Sequence, residues 1–134
     1  KANPSYRIDI HFENDFDSDN QISLNGNEYL LKVAFTNLFE NGCKFSGNNQ
    51  SLVTVAFRQE GITLKFSDEG IGIPEDDMEN IFTPFYRGKN RNFAYGNGIG
   101  LSLTRKIIDL HKGSLSVESE ERRGTTFTVV LNHL

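Results

Sequence analysis

One cysteine in 134 residues leaves no room for an intrachain disulfide or a cysteine-built metal site. Cys43 therefore reads as a small core residue, and a reducing compartment is the simpler setting. Tryptophan is absent, so eleven phenylalanines supply most of the aromatic bulk and the core should be rich in Phe. Positive charge is not in excess. A net charge of -4 argues against nucleic acid as the main partner, because binding a phosphate backbone needs a clustered surplus of Lys and Arg. No apolar run approaches a membrane span, and Lys1-Ala2-Asn3-Pro4 lacks the apolar stretch of a signal peptide. A start without Met and an abrupt Asn132-His133-Leu134 ending suggest a piece of a longer protein.

What is present suits one globular domain spanning 1–134, with 37% apolar and 24% charged residues. Residues 6–12 and 21–24 alternate at period two and predict strands. From 27 to 45, Leu30, Leu31, Ala34, Phe35, Leu38 and Phe39 recur at helical spacing, with Asn27 placed to cap the N-terminus. A hairpin of 52–57 and 62–66 leads into Asp68, and 75–82 reads as a short helix stopped by Pro84. Residues 88–98 lack either period and predict a lid-like loop; 99–111 reads as a helix that Gly113 terminates, and 114–118 with 125–131 as a last hairpin. The expected fold is α+β: a two-layer sandwich with a mixed, mostly antiparallel sheet of about five strands on three helices.

Four stretches could carry chemistry. In Asp68-Glu69-Gly70-Ile71-Gly72-Ile73-Pro74 a strand runs into a turn with one carboxylate and two glycines. Such a turn lets backbone approach a flat ligand while Asp68 accepts from an exocyclic amine, although an ordinary tight turn has the same composition. Asn37 and Asn41 are four residues apart on one helix face, with Lys44 following. Their neutral carboxamide oxygens suit Mg²⁺ in the company of phosphates, and the ammonium suits the phosphates; a solvated polar face is the plainer reading. Gly96-Asn97-Gly98-Ile99-Gly100-Leu101 opens a helix and offers free N–H groups to an anion. It follows a polar loop, not a strand, and no Gly-Lys-Ser/Thr comes after it, so neither a Rossmann nor a Walker site fits. Arg87, after Phe82 and Phe85, reads equally as a phosphate ligand or a surface residue.

In chain order these stretches resemble the boxes of sensor histidine kinases: Asn37 to Ser46 the N box, Asp68 to Pro74 the G1 box, Ile81-Phe82-Thr83-Pro84-Phe85-Tyr86-Arg87 the F box, and Gly96 to Leu101 the G2 box. Gly124-Thr125-Thr126-Phe127 resembles the family's last motif. The resemblance implies the Bergerat ATP-binding fold shared with type II topoisomerases, heat-shock chaperones and mismatch-repair ATPases. It implies ATP and Mg²⁺ as cofactors. Asp68 would bind the adenine amine with Thr125 supporting it through water, on a turn formed by Gly70, Gly72 and Ile73. Phe45 would line the adenine, and Asn41 would hold Mg²⁺, with Asn37 as a second metal candidate. Lys44 and the backbone of Gly98, Ile99, Gly100 and Leu101 would meet the phosphates, while Tyr86 and Arg87 would close over the nucleotide from the lid side. Asn37 and Arg87 would be the catalytic pair.

The same resemblance separates kinase from hydrolase. Related ATPases carry Glu as general base where this chain has Asn37, and an amide cannot take a proton. Glu40 next to that region leaves slow hydrolysis open. None of His11, His111 and His133 has the setting of a phosphoacceptor, so the implied partners are a dimerisation domain of the same protein that carries the acceptor His, and a response regulator receiver domain. A cytoplasmic, monomeric domain of a homodimeric, membrane-anchored bacterial parent is implied. The alternatives are a nucleotide-switched binding module and a stand-alone ATPase.

Overall fold

The computed structural model describes residues 7–12, 27–45, 50–59, 61–83 and 100–132, without the side chains of 7–9 and 42–45. Its elements are β1 (Arg7–Phe12), α1 (Glu28–Phe45), β2 (Gln50–Phe57), β3 (Gly61–Asp68), a 3-10 turn (Glu75–Asp77), α2 (Gly100–Leu110), β4 (Ser114–Glu120) and β5 (Gly124–Asn132). The five strands lie in the order β1-β2-β3-β5-β4, with β1 parallel to β2 and every other pair antiparallel. This is the mixed α+β sheet that the alternating strands and hairpins predict. The expected strand at 21–24 lies outside the described residues.

One face of the sheet is dry because inward positions fall at period two. Val53 and Val55 on β2, Phe66 on β3, and Phe127, Val129 and Leu131 on β5 are buried, while Leu52 and Lys65, each next to one of them and so on the opposite face, are exposed. Helical spacing supplies the opposing layer: Ala34 and Leu38 from α1, and Leu101, Ile107 and Ile108 from α2. The phenylalanines join the layers. Phe35 and Phe39, one turn apart on α1, set their rings 5.9 and 5.4 Å from that of Phe66. Tilted ring pairs at this distance each add about 0.5–1.5 kcal/mol beyond the burial of their area. That packing seats α1 over the end of β3, two residues before Asp68.

The two helices are clamped together at one end by a histidine. Asn27 caps α1, its side-chain oxygen accepting from the Leu30 N–H at 3.0 Å, while its own backbone N–H donates to Nε2 of His111 at 2.9 Å. Since Nε2 accepts, the ring hydrogen sits on Nδ1 and is donated to the Ile107 carbonyl at 2.8 Å. His111 is thus held as the neutral Nδ1–H tautomer between the start of α1 and the end of α2.

Two local expectations change. The segment 75–82 winds more tightly than an α-helix: Asp77 donates to Pro74, Met78 to Glu75, Asn80 to Asp77 and Thr83 to Asn80, all three residues apart. Eight residues are too few to sustain an α-helix on their own, and this winding buries Asp77 and Ile81. Gly113 does follow α2, but the left-handed residue there is Lys112, at φ 59°. Glycine is required at 113 for another reason: a Cβ would lie 2.5 Å from the Val130 carbonyl oxygen and 2.8 Å from Leu131.

Candidate functional site

The site begins with a row of polar side chains across three neighbouring strands. Asp68 on β3 is the register partner of Thr125 on β5, and Thr125 is the partner of Ser119 on β4. Period two puts all three on the helix-covered face, continuing the rows of Phe66, Phe127 and Val117. The outermost row of the core is therefore polar, at the sheet end where β3 runs into the glycine turn. Burial pushes the Asp68 carboxyl up to about 6, against the opposing pull of the Gly70 and Thr125 backbone N–H groups.

The turn is shaped by close backbone approach. The Gly70 N–H donates to an Asp68 carboxylate oxygen at 2.9 Å, turning the chain back over its own side chain. Gly72 sits at φ 73°, and a Cβ there would overlap the Glu120 carbonyl and lie 2.8 Å from the Glu121 Cα. Arg122 donates its N–H to the Ile71 carbonyl at 2.6 Å, so the β4–β5 turn lies against this loop. Gly124, at φ 128°, closes the contact from the other side, where a Cβ would overlap the Asp68 carbonyl. Asp68, Gly70, Gly72, Ile73 and Thr125 are thus brought together.

Ser119 is a site residue that the sequence reading missed. Its hydroxyl accepts from the Ile73 N–H at 2.8 Å, donates to the Gly124 carbonyl at 3.0 Å and meets the Thr125 hydroxyl at 2.8 Å. The signal was available in principle, since extending the final hairpin by one residue sets Ser119 opposite Thr125. The predicted strand stopped at 118.

A second cluster joins α1 to the start of α2. The Asn37 amide donates to the Gly100 carbonyl and to the Thr104 hydroxyl, each at 3.3 Å, and Thr104 donates to the same carbonyl at 2.8 Å. Thr104 is fully buried and was also missed, because on sequence it is one more polar position in an amphipathic helix. Gly100 and Leu101 begin α2, so their N–H groups belong to the unpaired first turn that favours anions. Leu101 itself is buried in the core and can contribute only backbone.

Asn41 lies one turn beyond Asn37, half-buried. With its N–H groups directed at α2, Asn37 has Oδ1 left for a ligand. Two neutral oxygens on one helix face fit a hard Mg²⁺ ion that brings phosphate oxygens and water as its other ligands. They do not form a cage for a metal without nucleotide, and the described residues contain no group of three or more His, Cys, Asp or Glu side chains suited to one. The side chains of Lys44 and Phe45, and Tyr86, Arg87, Gly98 and Ile99 altogether, lie outside the described residues.

The arrangement offers acceptors at one end and backbone donors with amide oxygens at the other, a polarity suited to a nucleotide. Comparison with known proteins agrees. The family model described as "Histidine kinase-, DNA gyrase B-, and HSP90-like ATPase" matches residues 26–133. The chain is 40% identical over 109 residues to the heme sensor protein HssS of Staphylococcus saprophyticus, covering 81% of this chain and 23% of that protein. It is 34% identical over 125 residues to the signal transduction histidine-protein kinase ArlS of Staphylococcus aureus, covering 91% of this chain and 28% of that protein. The chain thus spans about a quarter of the length of these relatives. Among solved structures, the catalytic domain of the histidine kinase ThkA matches with a TM-score of 0.72 and 29% identity over 94% of this chain and 79% of that one. The mycobacterial sensor histidine kinase MprB shares the fold, with a TM-score of 0.78 at 22% identity over 97% of this chain and 85% of that one.

Proposed function

This chain belongs to the histidine kinase-, DNA gyrase B- and HSP90-like ATPases, and from that premise we propose that residues 1–134 form the ATP-binding catalytic domain of a two-component sensor histidine kinase. ATP binds with its adenine amine on Asp68 and the Thr125 hydroxyl beside it. Its phosphates run toward the first turn of α2 and the α1 face carrying Asn37, Asn41 and Lys44. Asn41 and the free oxygen of Asn37 would hold Mg²⁺, which would supply neutralisation of the phosphate charge, and Tyr86 and Arg87 would be the residues to close over the nucleotide. The γ-phosphoryl group passes to a His on a dimerisation domain of the same protein, and from there to a response regulator receiver domain.

One observation carries the choice of transferase over hydrolase. Asn37 faces α2 with its amide donating to Gly100 and Thr104, so the position offers no carboxylate to deprotonate water. Such a pocket positions nucleotide and neutralises charge while the nucleophile comes from elsewhere. His111 is not that nucleophile, because its Nε2 is occupied by the Asn27 N–H and its Nδ1 hydrogen by Ile107. Among the described residues no helix is long and apolar enough to cross a membrane, and an anchor belongs to the parent protein in this reading.

The test is phosphotransfer. The chain is mixed with radiolabelled ATP, Mg²⁺ and a dimerisation domain containing its acceptor His, taken from the parent protein. Acid-labile label on that His is expected, and it should disappear with Asp68→Ala. Nucleotide binding without label would favour a switched binding module, and rapid phosphate release without the partner would favour a stand-alone ATPase.

A further inference from the structure

Ser119 lies in the same polar row as Asp68 and Thr125, and its hydrogen bonds leave only one arrangement of hydrogens. A serine hydroxyl has one hydrogen and two lone pairs. The Gly124 carbonyl can only accept, so the Ser119 hydrogen points there, at 3.0 Å. The Ile73 N–H can only donate and takes one lone pair, at 2.8 Å. The third contact, 2.8 Å to the Thr125 Oγ1, is then a hydrogen bond only if Thr125 donates. Reversing it would leave two oxygens, of Ser119 and Gly124, facing each other with no hydrogen between them.

We propose that Ser119 is a positioning residue that fixes the Thr125 hydroxyl as an acceptor toward the nucleotide, and so selects a 6-amino purine over a 6-oxo purine. With its only hydrogen given to Ser119, Thr125 presents lone pairs to anything else it meets. Its register partner Asp68 is a carboxylate, which also only accepts when ionised. The purine end of the pocket therefore carries acceptors on two adjacent strands. An exocyclic amine satisfies them directly, or through a water that donates its two hydrogens to Asp68 and Thr125 and accepts from the amine. A carbonyl at the same position brings a third acceptor and leaves the pocket's oxygens unpaired, which is the costly case in recognition.

The inference rests on the ATP-pocket reading above, and its experiment separates the two. Affinities of ADP and of inosine diphosphate, which carries oxygen in place of the 6-amino group, are measured by calorimetry on this chain and its variants. The unaltered chain should prefer ADP. Ser119→Ala frees the Thr125 hydrogen to turn into the pocket, and the ADP preference should fall about five- to tenfold. Ser119→Thr keeps a hydroxyl at the position and should restore the preference. Should Ser119→Ala fail to fold, Ser119→Cys keeps the volume with a far weaker acceptor and carries the same expectation. A loosened turn would weaken both nucleotides alike, so an unchanged ratio in the variant would overturn the role given to Ser119. If the unaltered chain binds neither nucleotide, the pocket reading itself falls; if it binds both without preference, the acceptor-lined purine end falls while nucleotide binding stands.

Discussion

Asp68 and Thr125 are partners across β3 and β5, and the Thr125 backbone N–H helps to hold down a carboxyl that burial lifts to about 6. The group proposed to read adenine therefore titrates within the range of an ordinary binding assay. Only the ionised form accepts from the amine without also presenting a hydrogen to it, so ADP affinity should hold steady above about pH 7. It should weaken roughly tenfold by pH 5, one unit below that value. The nucleotide's own phosphate titrates nearby, which makes Asp68→Asn the control. That variant should bind more weakly at pH 7.5 and lose the part of the pH dependence that belongs to the protein. An identical profile in both proteins would remove Asp68 from the adenine contact.

The same carboxyl should cost stability where it is ionised. Its folded value lies above the ordinary 3.8, so the unfolded chain releases this proton first and the native state loses ground as pH rises from about 4 to 6. Below that window the contribution vanishes; above it the cost is constant. The shift corresponds to about 3 kcal/mol at most, less after solvent screening of a group that is not fully buried. Asp68→Asn keeps an oxygen for the Gly70 N–H and should raise the urea midpoint at pH 7.5 but not at pH 4, as expected where a site residue is retained for binding at the expense of stability.

Much of this fold follows from patterns that one sequence displays. Strand alternation around Val53, Phe66 and Phe127 and the helical spacing of Ala34 and Leu38 report local geometry and burial together, so they are readable without a partner. The segment 75–82 was harder, because its acidic first turn is compatible with both kinds of winding and its brevity decided between them. Ser119 and Thr104 were harder still. Their roles arise only when strand register or helix packing brings a distant residue within 3.3 Å, and nothing in Ser-Glu or Leu-Thr as a local sequence announces it.

Thr104 is tested by removing its hydroxyl at constant shape. Thr104→Val takes away a donor to the Gly100 carbonyl and an acceptor for the Asn37 amide in a fully buried position. A loss of about 1–3 kcal/mol in urea unfolding is expected, the range for buried groups left without a partner. Because Asn37 and the first turn of α2 both belong to the proposed phosphate end, ADP should also bind more weakly. AMP, which reaches less far along the phosphates, should be affected less, and equal losses for both would detach this cluster from the phosphates.

Gly124 tests the backbone at the adenine end. At φ 128° a side chain is strained in any case, and a Cβ would overlap the Asp68 carbonyl. Gly124→Ala should destabilise by about 1–3 kcal/mol and push the β3 terminus away from β5. Gly72→Ala, at φ 73°, meets the Glu120 carbonyl instead. Both should lower stability, but Gly124→Ala should lower ADP affinity further because it displaces Asp68 itself. Urea unfolding and calorimetry on the pair would show this, and a larger affinity loss from Gly72→Ala would mean that the loop, not the strand end, sets the contact.

Two clamps hold α1 against α2, and their spacing agrees. Ten residues separate Asn27 from Asn37 on α1, and eleven separate Gly100 from His111 on α2, about 15 to 17 Å along each axis. One clamp is Asn37 with Gly100 and Thr104; the other is the Asn27 N–H with His111. Removing the His111 ring by His111→Ala should cost about 0.5–1.5 kcal/mol, modest because the Asn27 end is exposed and water can replace the bond. Asn27→Ala should cost about 1 kcal/mol through loss of the cap to Leu30. The two bonds use different atoms of Asn27, yet the cap holds the backbone in the conformation that aims its N–H at the ring. The double variant should therefore lose about 0.5 kcal/mol less than the sum of the single losses. Urea unfolding of all four proteins measures that coupling, and strict additivity would mean that His111 holds the start of α1 whether or not the cap is formed.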